Sequence, residues 1–597
     1  MEDGTGGEDS KSGGSTRSGS ISGKRSPQAQ SSTRKLPTSA PTVGNEAVAS
    51  RLSMIPPQQP LLTTGNTLPP RKPYAVDESL SLQRHRHCKH LGPTASLDAS
   101  LLGLGSSATK HLPNPNMRQV SSTEYFSTHN DASVLIPDDE ARALAEIDAI
   151  VGTLGPALIE IYWQNVHPSY PIIQKKAFTD RHAHGDRQFN PPLLAAMYLL
   201  ALSWWDTTPA LHQQSAKPDM ARLEYIAITT LTVAMQRPKM SAVQAGLLLL
   251  QRAKASTWTL TVQLVALGQD IGLHLDCSDW RIPTWEKRLR KRLAWALYLQ
   301  DKWSALMHGR PSHINTADWA VPAPVMEDFD DEMLGSSVEE ANTESSNTKL
   351  EEEPQMRRGR MLFTQLISLA EILAEVCQTF YSQIAQREFA QAGAYATQLV
   401  LARAKPVQVK LKDWFARLPA ECKMDSVSPT TGGSEELDST GYLHLAYFAT
   451  EITIHRRIIQ SLTPPTTHAA PTAPAQSTIS PDLLSIIRSA AKTRLISAMD
   501  FTNRLTPSHL SAFWFFPSCS NFALIATFGT LLLATAPGGE ERMFYQARLR
   551  EYRWTLRVSE GRAGWIGGAL EAMKGLEIAA KEERVDSGLD AMDLDAW

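Results

Sequence analysis

The sequence predicts an all-α fold: two helical units, preceded by a disordered arm and joined by an acidic linker. Three observations carry this. At 597 residues the chain is several times the ~100–150 residues of a typical domain. Hydrophobic residues at 42% and charged residues at 20% fall slightly below globular averages, so folded stretches are diluted by polar ones. From Pro137 onward the apolar residues group in helix-length patterns broken by Gly and Pro, without sustained β alternation.

Residues 1–135 are rich in Ser, Gly, Thr and Pro, as in Met54-Ile-Pro-Pro, and poor in aromatics. Such a stretch cannot bury enough surface to offset ordering entropy, which predicts a disordered arm. It is mildly basic, with 14 Lys and Arg against 8 Asp and Glu up to Arg118. Its pairs Lys24-Arg25, Arg34-Lys35 and Arg71-Lys72 suit nuclear import or simply solvated charge. Pro137 followed by Asp138-Asp139-Glu140 places a proline and negative charge where a helix N-terminus favours both, ahead of 141–150. Further helices are expected at 157–166, 192–205, 221–235, 241–253, 257–273 and 285–307, completing a unit over 136–326. Residues 327–357 form the acidic linker, with 11 Asp or Glu and the single Lys349 between 327 and 353. A second helical unit is expected over 358–583, broken at 426–439 and 463–480, and an acidic tail over 584–597. No internal repeat of fixed period is present.

A net charge of −3 argues against coating nucleic acid or anionic lipid through bulk charge. The cysteines (Cys88, Cys277, Cys377, Cys422 and Cys519) are odd in number and far apart, and predict a reducing, intracellular setting. Residues 1–50 lack the apolar run of a secretory signal, so export is not expected. The most apolar run, 522–534, is shorter than the ~20 residues that span a bilayer and is expected to be a core helix, leaving no membrane partner.

The most informative segment lies between Ser256 and Pro311. A helix opening at Thr257 is apolar over more than one face (Trp258, Val262, Leu264, Val265, Leu267, Ile271) and ends at a Gly272 cap. The next helix starts with Lys287-Arg288 and Arg290-Lys291-Arg292, expected to stay wet, and then becomes apolar nearly all round until Gly309-Arg310-Pro311 stops it.

The run Leu267-Gly-Gln-Asp-Ile-Gly272-Leu273-His274-Leu275, then Trp280, Trp285-Glu286-Lys287, Arg290 to Trp295, Asp301-Lys-Trp303 and Gly309-Arg310-Pro311-Ser312, resembles the middle homology region of fungal-specific transcription factors. Tyr162-Trp163, His167-Pro168-Ser169-Tyr170-Pro171-Ile172 and Phe178 are similar to its opening motif, so the likeness covers 158–324. Cys277 to Pro283 and Gln300 to Trp303 look most like a subgroup that co-activates genes for using secondary nitrogen sources. The resemblance implies an all-α regulatory domain in a nuclear transcription regulator whose partners are other transcription factors or co-activator machinery. Most members also carry an N-terminal module in which six cysteines hold two zinc ions and set a helix in the major groove. Only Cys88 precedes Cys277 here, so no DNA-binding residue and no cofactor is assigned, zinc being expected only if a missing cluster exists. Two alternatives follow: a co-regulator that reaches DNA through partners, or a zinc-cluster activator whose cluster is missing from this chain.

Weaker signals have bland counterparts. His85, His87, Cys88 and His90 are metal-ligand types, but adjacent His87-Cys88 strains a closed site, and a solvated arm is the simpler expectation. Glu327-Asp328-Phe329-Asp330-Asp331 is similar to the magnesium motifs of all-α terpene synthases, yet it sits in a stretch acidic throughout. No catalytic residue is assigned, and an enzyme stays the third hypothesis. His274 is expected to be satisfied by backbone, Arg310 to anchor its loop, and Trp295 and the neighbouring tryptophans to be core. In the tail, Asp586, Asp590, Asp593 and Asp595 alternate with Leu589, Met592, Leu594 and Trp597. Repulsion keeps such apolar side chains available to a partner groove, the pattern of an activation segment, with Asp590, Leu594 and Trp597 its key residues. A frayed polar tail is the alternative.

Overall fold

The computed structural model describes residues 79–80, 85–96, 116–134, 139–183, 190–208, 211, 216–252, 257–330, 354–424, 437–462 and 479–574. They are overwhelmingly helical, as expected. Helices α1 (Glu140–Val151), α2 (Gly155–Ile161), α3 (Lys175–Ala183), α4 (Pro191–Ala201), α5 (Met220–Ala234), α6 (Met240–Leu250), α7 (Thr257–Asp270) and α8 (Thr284–His308) lie within a few residues of the expected positions, except α3, which was not expected. Local chemistry sets their ends. The Asn190 side chain accepts from the Leu193 amide ahead of α4, which has proline in its first turn, and Asp219 accepts from the Arg222 amide ahead of α5. Gly309 closes α8 at φ +60°, in the left-handed region that L side chains avoid.

After the acidic stretch come α9 (Pro354–Tyr381), α10 (Gln383–Gln391), α11 (Ala396–Ala416), α12 (Thr440–Ser461), α13 (Pro481–Asn503), α14 (Pro507–Ser511), α15 (Ser518–Ala534) and α16 (Gly539–Glu560). Two helical units were expected, and one core is found. A single apolar cluster runs from Ala143 to Met573, with α8 against α9 and α12 central to α9, α11, α13 and α15. Tyr170 meets Phe363, Phe513 and Phe515 at 6.3, 6.1 and 5.2 Å. Gly359 lies so close to Pro168 that an added Cβ would fall 2.3 Å from its carbonyl oxygen. The break at 327–357 therefore interrupts the sequence and not the core. Its first residues are also ordered: Met326–Phe329 form a 3-10 turn with Asp328 and Phe329 buried.

The arm needs a second correction. Strands β1 (Arg86–His90), β2 (Met117–Gln119) and β3 (Tyr125–Asn130) form an antiparallel sheet in the order β1-β3-β2, with Cys88 opposite Thr128 and Arg118 opposite Phe126. The sheet is ordered because Leu80, Cys88, Val120 and Phe126 share a small core with Cys277, Trp280 and Ile282 from the turn before α8. Its apolar face exists only against that turn. One helix among the described residues, α9, is long and apolar enough to cross a membrane, and half of its most apolar window is buried within the protein. The run around Phe522 is the buried helix α15.

Candidate functional site

The motif residues form two adjoining arrangements, one at each end of α8. At its N-terminal end, Gly272 turns the chain with φ +70°, and a side chain there would meet Phe126 at 3.0 Å and Trp280 at 3.1 Å. Phe126 packs edge-on against Trp280 at 5.3 Å, so the turn and the sheet fit only because position 272 is bare. The Leu273 amide donates to the Gly268 carbonyl, and the His274 carbonyl accepts from Ala320. The His274 ring stands 5.9 Å from His90, and burial, then the His90 charge, lower its pKa. Its Nδ1 has no hydrogen-bond partner among the described atoms, so backbone does not satisfy the ring there as expected.

The basic turn of α8 is not wet at Arg290 and Arg292, although Lys287 stays at the surface. Arg290 is 3% exposed and Arg292 0%, because acceptors from distant segments converge on them. Arg290 donates through Nε to Glu286 at 3.0 Å and through Nη1 to the Ile271 carbonyl at 2.7 Å, with its guanidinium 5.3 Å from the Trp280 ring centroid. The other Glu286 oxygen accepts from the Leu80 amide at 3.1 Å, tying the arm to the helix. Arg292 donates to Gln174 at 3.2 Å, and Lys291 donates to both Asp328 oxygens at 3.1 and 2.9 Å. Asp328 also accepts from the Val325 amide at 2.9 Å, which commits one carboxylate of the terpene-synthase-like run to an internal ion pair, while Asp331 lies outside the described residues.

At the other end, Asp301 is fully buried and accepts from the His313 amide at 2.8 Å, the Ile314 amide at 3.1 Å and Lys302 at 3.1 Å. Lys302 in turn donates to Ser312 at 2.9 Å and the Ile314 carbonyl at 2.5 Å; desolvation lowers its pKa and Asp301 opposes the shift. The pair thus fastens the loop after Gly309-Arg310-Pro311 back onto α8. Arg310 and Pro311 are exposed, and the Arg310 guanidinium sits 5.1 Å from the Trp258 ring centroid. Trp295 is core, donating to the Pro322 carbonyl at 2.9 Å against Trp319 and Tyr298.

The metal-ligand types of the arm do not converge. His87 bonds Asp131 at 2.8 Å, His90 bonds Glu124 at 2.8 Å, and buried Cys88 lies 3.7 Å from the Thr128 hydroxyl. Burial raises the Cys88 and Cys277 thiol pKa values, which disfavours the thiolates a metal would need. Phe126 and Gln174 were not read from sequence as parts of this site, and Glu286 and Asp328 were read only as members of the family motif and of the acidic run. Only Phe126 had a local signal, the short alternation Tyr125-Phe-Ser-Thr-His-Asn130. Asp590, Leu594 and Trp597 lie outside the described residues.

An all-α domain organised around a self-paired charged helix defines the class, and comparison with known proteins gives the family. Residues 159–416 match the family described as fungal specific transcription factor domain. The match runs through the acidic stretch into α11, in keeping with the single core. The chain is 34% identical over 531 residues to Transcriptional activator protein DAL81 of Saccharomyces cerevisiae, covering 82% of this chain and 51% of that protein. It is 26% identical over 182 residues to the Acetamidase regulatory protein of Aspergillus fumigatus, 29% of this chain and 23% of the relative. It is 24% identical over 298 residues to Cutinase transcription factor 1 alpha of Fusarium vanettenii, 47% of this chain and 29% of the relative. The chain thus spans about half the length of the yeast activator and less of the other two. No solved structure matches. The zinc module of the wider family does not fit these residues: it takes six thiolates and the chain has five cysteines, scattered and unpaired.

Proposed function

We propose that this protein is a nuclear transcription regulator that works through its helical domain as a platform for other transcription factors or co-activators, in the use of secondary nitrogen sources. The observation that carries the proposal is the family segment at 159–416, supported by the likeness of most of the chain to a yeast transcriptional activator. The charged motif around α8 supports a scaffold, since its carboxylates pair with its own guanidinium and ammonium groups instead of facing a substrate. In this reading DNA is reached through a partner. Chromatin immunoprecipitation with and without the suspected DNA-bound partner tests this: occupancy should vanish with the partner, and occupancy that persists would favour an activator with its own DNA-binding module. Fusing 584–597 to an unrelated DNA-binding domain tests the tail. Reporter activation that falls when Leu589, Leu594 and Trp597 become Ala supports an activation segment, and silence of the unmutated fusion leaves recruitment to the helical domain.

A further inference from the structure

Away from the motif, a cleft of about 360 Å³ opens between the end of α4 and α6 on one side and the 510–516 and 562–565 segments on the other. That volume suits a small organic ligand. Its walls are aromatic: the indoles of Trp204, Trp514 and Trp565, with Phe513 and Phe516. They are already fixed in place. Trp204 donates to the Ser511 carbonyl at 2.7 Å, Trp514 donates to the His509 carbonyl at 2.8 Å, and the Phe516 amide donates to Gln251 at 3.2 Å. Trp514 and Trp565 lie 4.9 Å apart at 36°. Those two indole N–H groups are spent inside the protein; Trp514 is buried behind Trp565, and the half-buried Trp204 and Trp565 rings are the indole surface open to a guest.

The charges lining the cleft decide what kind of guest. Arg252 is held by Glu224 at 2.7 Å, and Asp206 faces Lys217 at 3.8 Å. Arg562 is exposed at the cleft and has no ion pair among the described residues. The uncommitted charge is positive. We propose that this cleft binds a planar aromatic anion, a carboxylate or sulfonate, stacked against the indoles with its charge at Arg562. Such a ligand bridges chain segments more than 250 residues apart, Ser203 to Arg252 and Leu510 to Trp565, and so stabilises the closure of the single core. The proposal rests on the cleft alone and stands or falls independently of the transcriptional role.

The full chain titrated with 1-anilinonaphthalene-8-sulfonate, an aromatic sulfonate, and with neutral N-phenyl-1-naphthylamine tests it by fluorescence. Expected is saturable binding of one sulfonate per chain, weakened about tenfold by Arg562→Glu through loss of the charge-assisted contact, with the neutral probe little changed. Ser203→Trp, at an exposed position lining the cleft, fills it and abolishes binding of both probes at an unchanged melting temperature. No saturable binding by the unsubstituted chain, undiminished binding by a folded Ser203→Trp chain, or an Arg562→Glu chain that treats the two probes alike would overturn the proposal. Arg562→Glu alters an exposed side chain, so it remains decisive if the tryptophan variant does not fold.

Discussion

Helices α8 and α15 are both buried nearly all round, and they achieve it by opposite means. In α15 the buried positions are Phe522, Ala523, Ile525, Ala526, Phe528, Gly529 and Leu532 with only Ser518 and Asn521 among them, and removal from water is enough to place them. In α8 the buried set includes Glu286, Arg290, Arg292, Gln300, Asp301 and Lys302. Each is tolerated only because a partner arrives from elsewhere: Leu80 from the arm, Gln174 before α3, Thr261 on α7 and Ile314 after the Gly309 turn. A buried ion pair adds little net stability over an apolar pair but is costly to break. The apolar helix therefore stabilises the core, whereas the charged one specifies which segments close on it.

The largest effect expected from this difference is at Asp301. Replacing it with Ala strips two backbone amides of their acceptor and leaves Lys302 buried without its carboxylate, a loss of about 3–5 kcal/mol by the measured cost of halving a buried pair. Urea melts should show it, with limited proteolysis cutting first at 309–314. A variant as stable as the parent would mean that Asp301 does not hold the loop.

Leu532→Ala on α15 should cost about 2–5 kcal/mol through lost burial and a residual cavity. Proteolysis should then show no preferred first cut, since no single loop depends on that side chain. Selective cutting at one loop would mean that the apolar helix also specifies a connection.

The division between the two helices also marks what could be read from sequence. The apolar helices, the Gly272 and Gly309 caps and the core tryptophans other than the partly buried Trp258 were legible because periodicity and local capping are properties of neighbouring residues. The burial of Arg290 and Arg292 was not, since a basic first turn looks solvated until Ile271, Glu286 and Gln174 are placed around it. The sheet at 86–130 was missed for the same reason. Its strands are short, and the surface that orders them, Trp280 and its neighbours, lies more than 140 residues along the chain. Nothing local signals that partner.

A pH titration sharpens the contrast for ionisable groups outside α8. On α12, burial, then the charges of Arg494 and Lys412, lower the His455 pKa to about 4 from 6.5. Between these values the unfolded chain binds a proton that the folded chain does not, so stability falls as pH drops from 6.5 towards 4. Burial, then the Arg292 charge, lowers the His167 pKa as well, which gives the same sign. Chemical denaturation at stepped pH should show the decline, and His455→Gln should flatten part of it. An unaltered slope in that variant would show that His455 does not titrate between the two states.

The smallest effect isolates the two faces of one basic turn. Lys287 lies three residues before Arg290, but its ammonium donates at the surface to the Ser278 carbonyl at 2.7 Å, and water can replace it. Lys287→Gln should therefore change stability by less than about 1 kcal/mol, as exposed charges do. Arg290→Gln should cost several times as much, about 3 kcal/mol or more, because it leaves Glu286 without its counter-ion in a fully buried position and removes the cation from the Trp280 face. Phe126 and the strands rest on that same Trp280, so the Arg290 variant should also expose 86–130 to protease while the Lys287 variant does not. Equal, small effects at both positions would mean that the arm is held by its apolar contacts alone, and that the Leu80–Glu286–Arg290 chain of hydrogen bonds follows docking of the sheet without causing it.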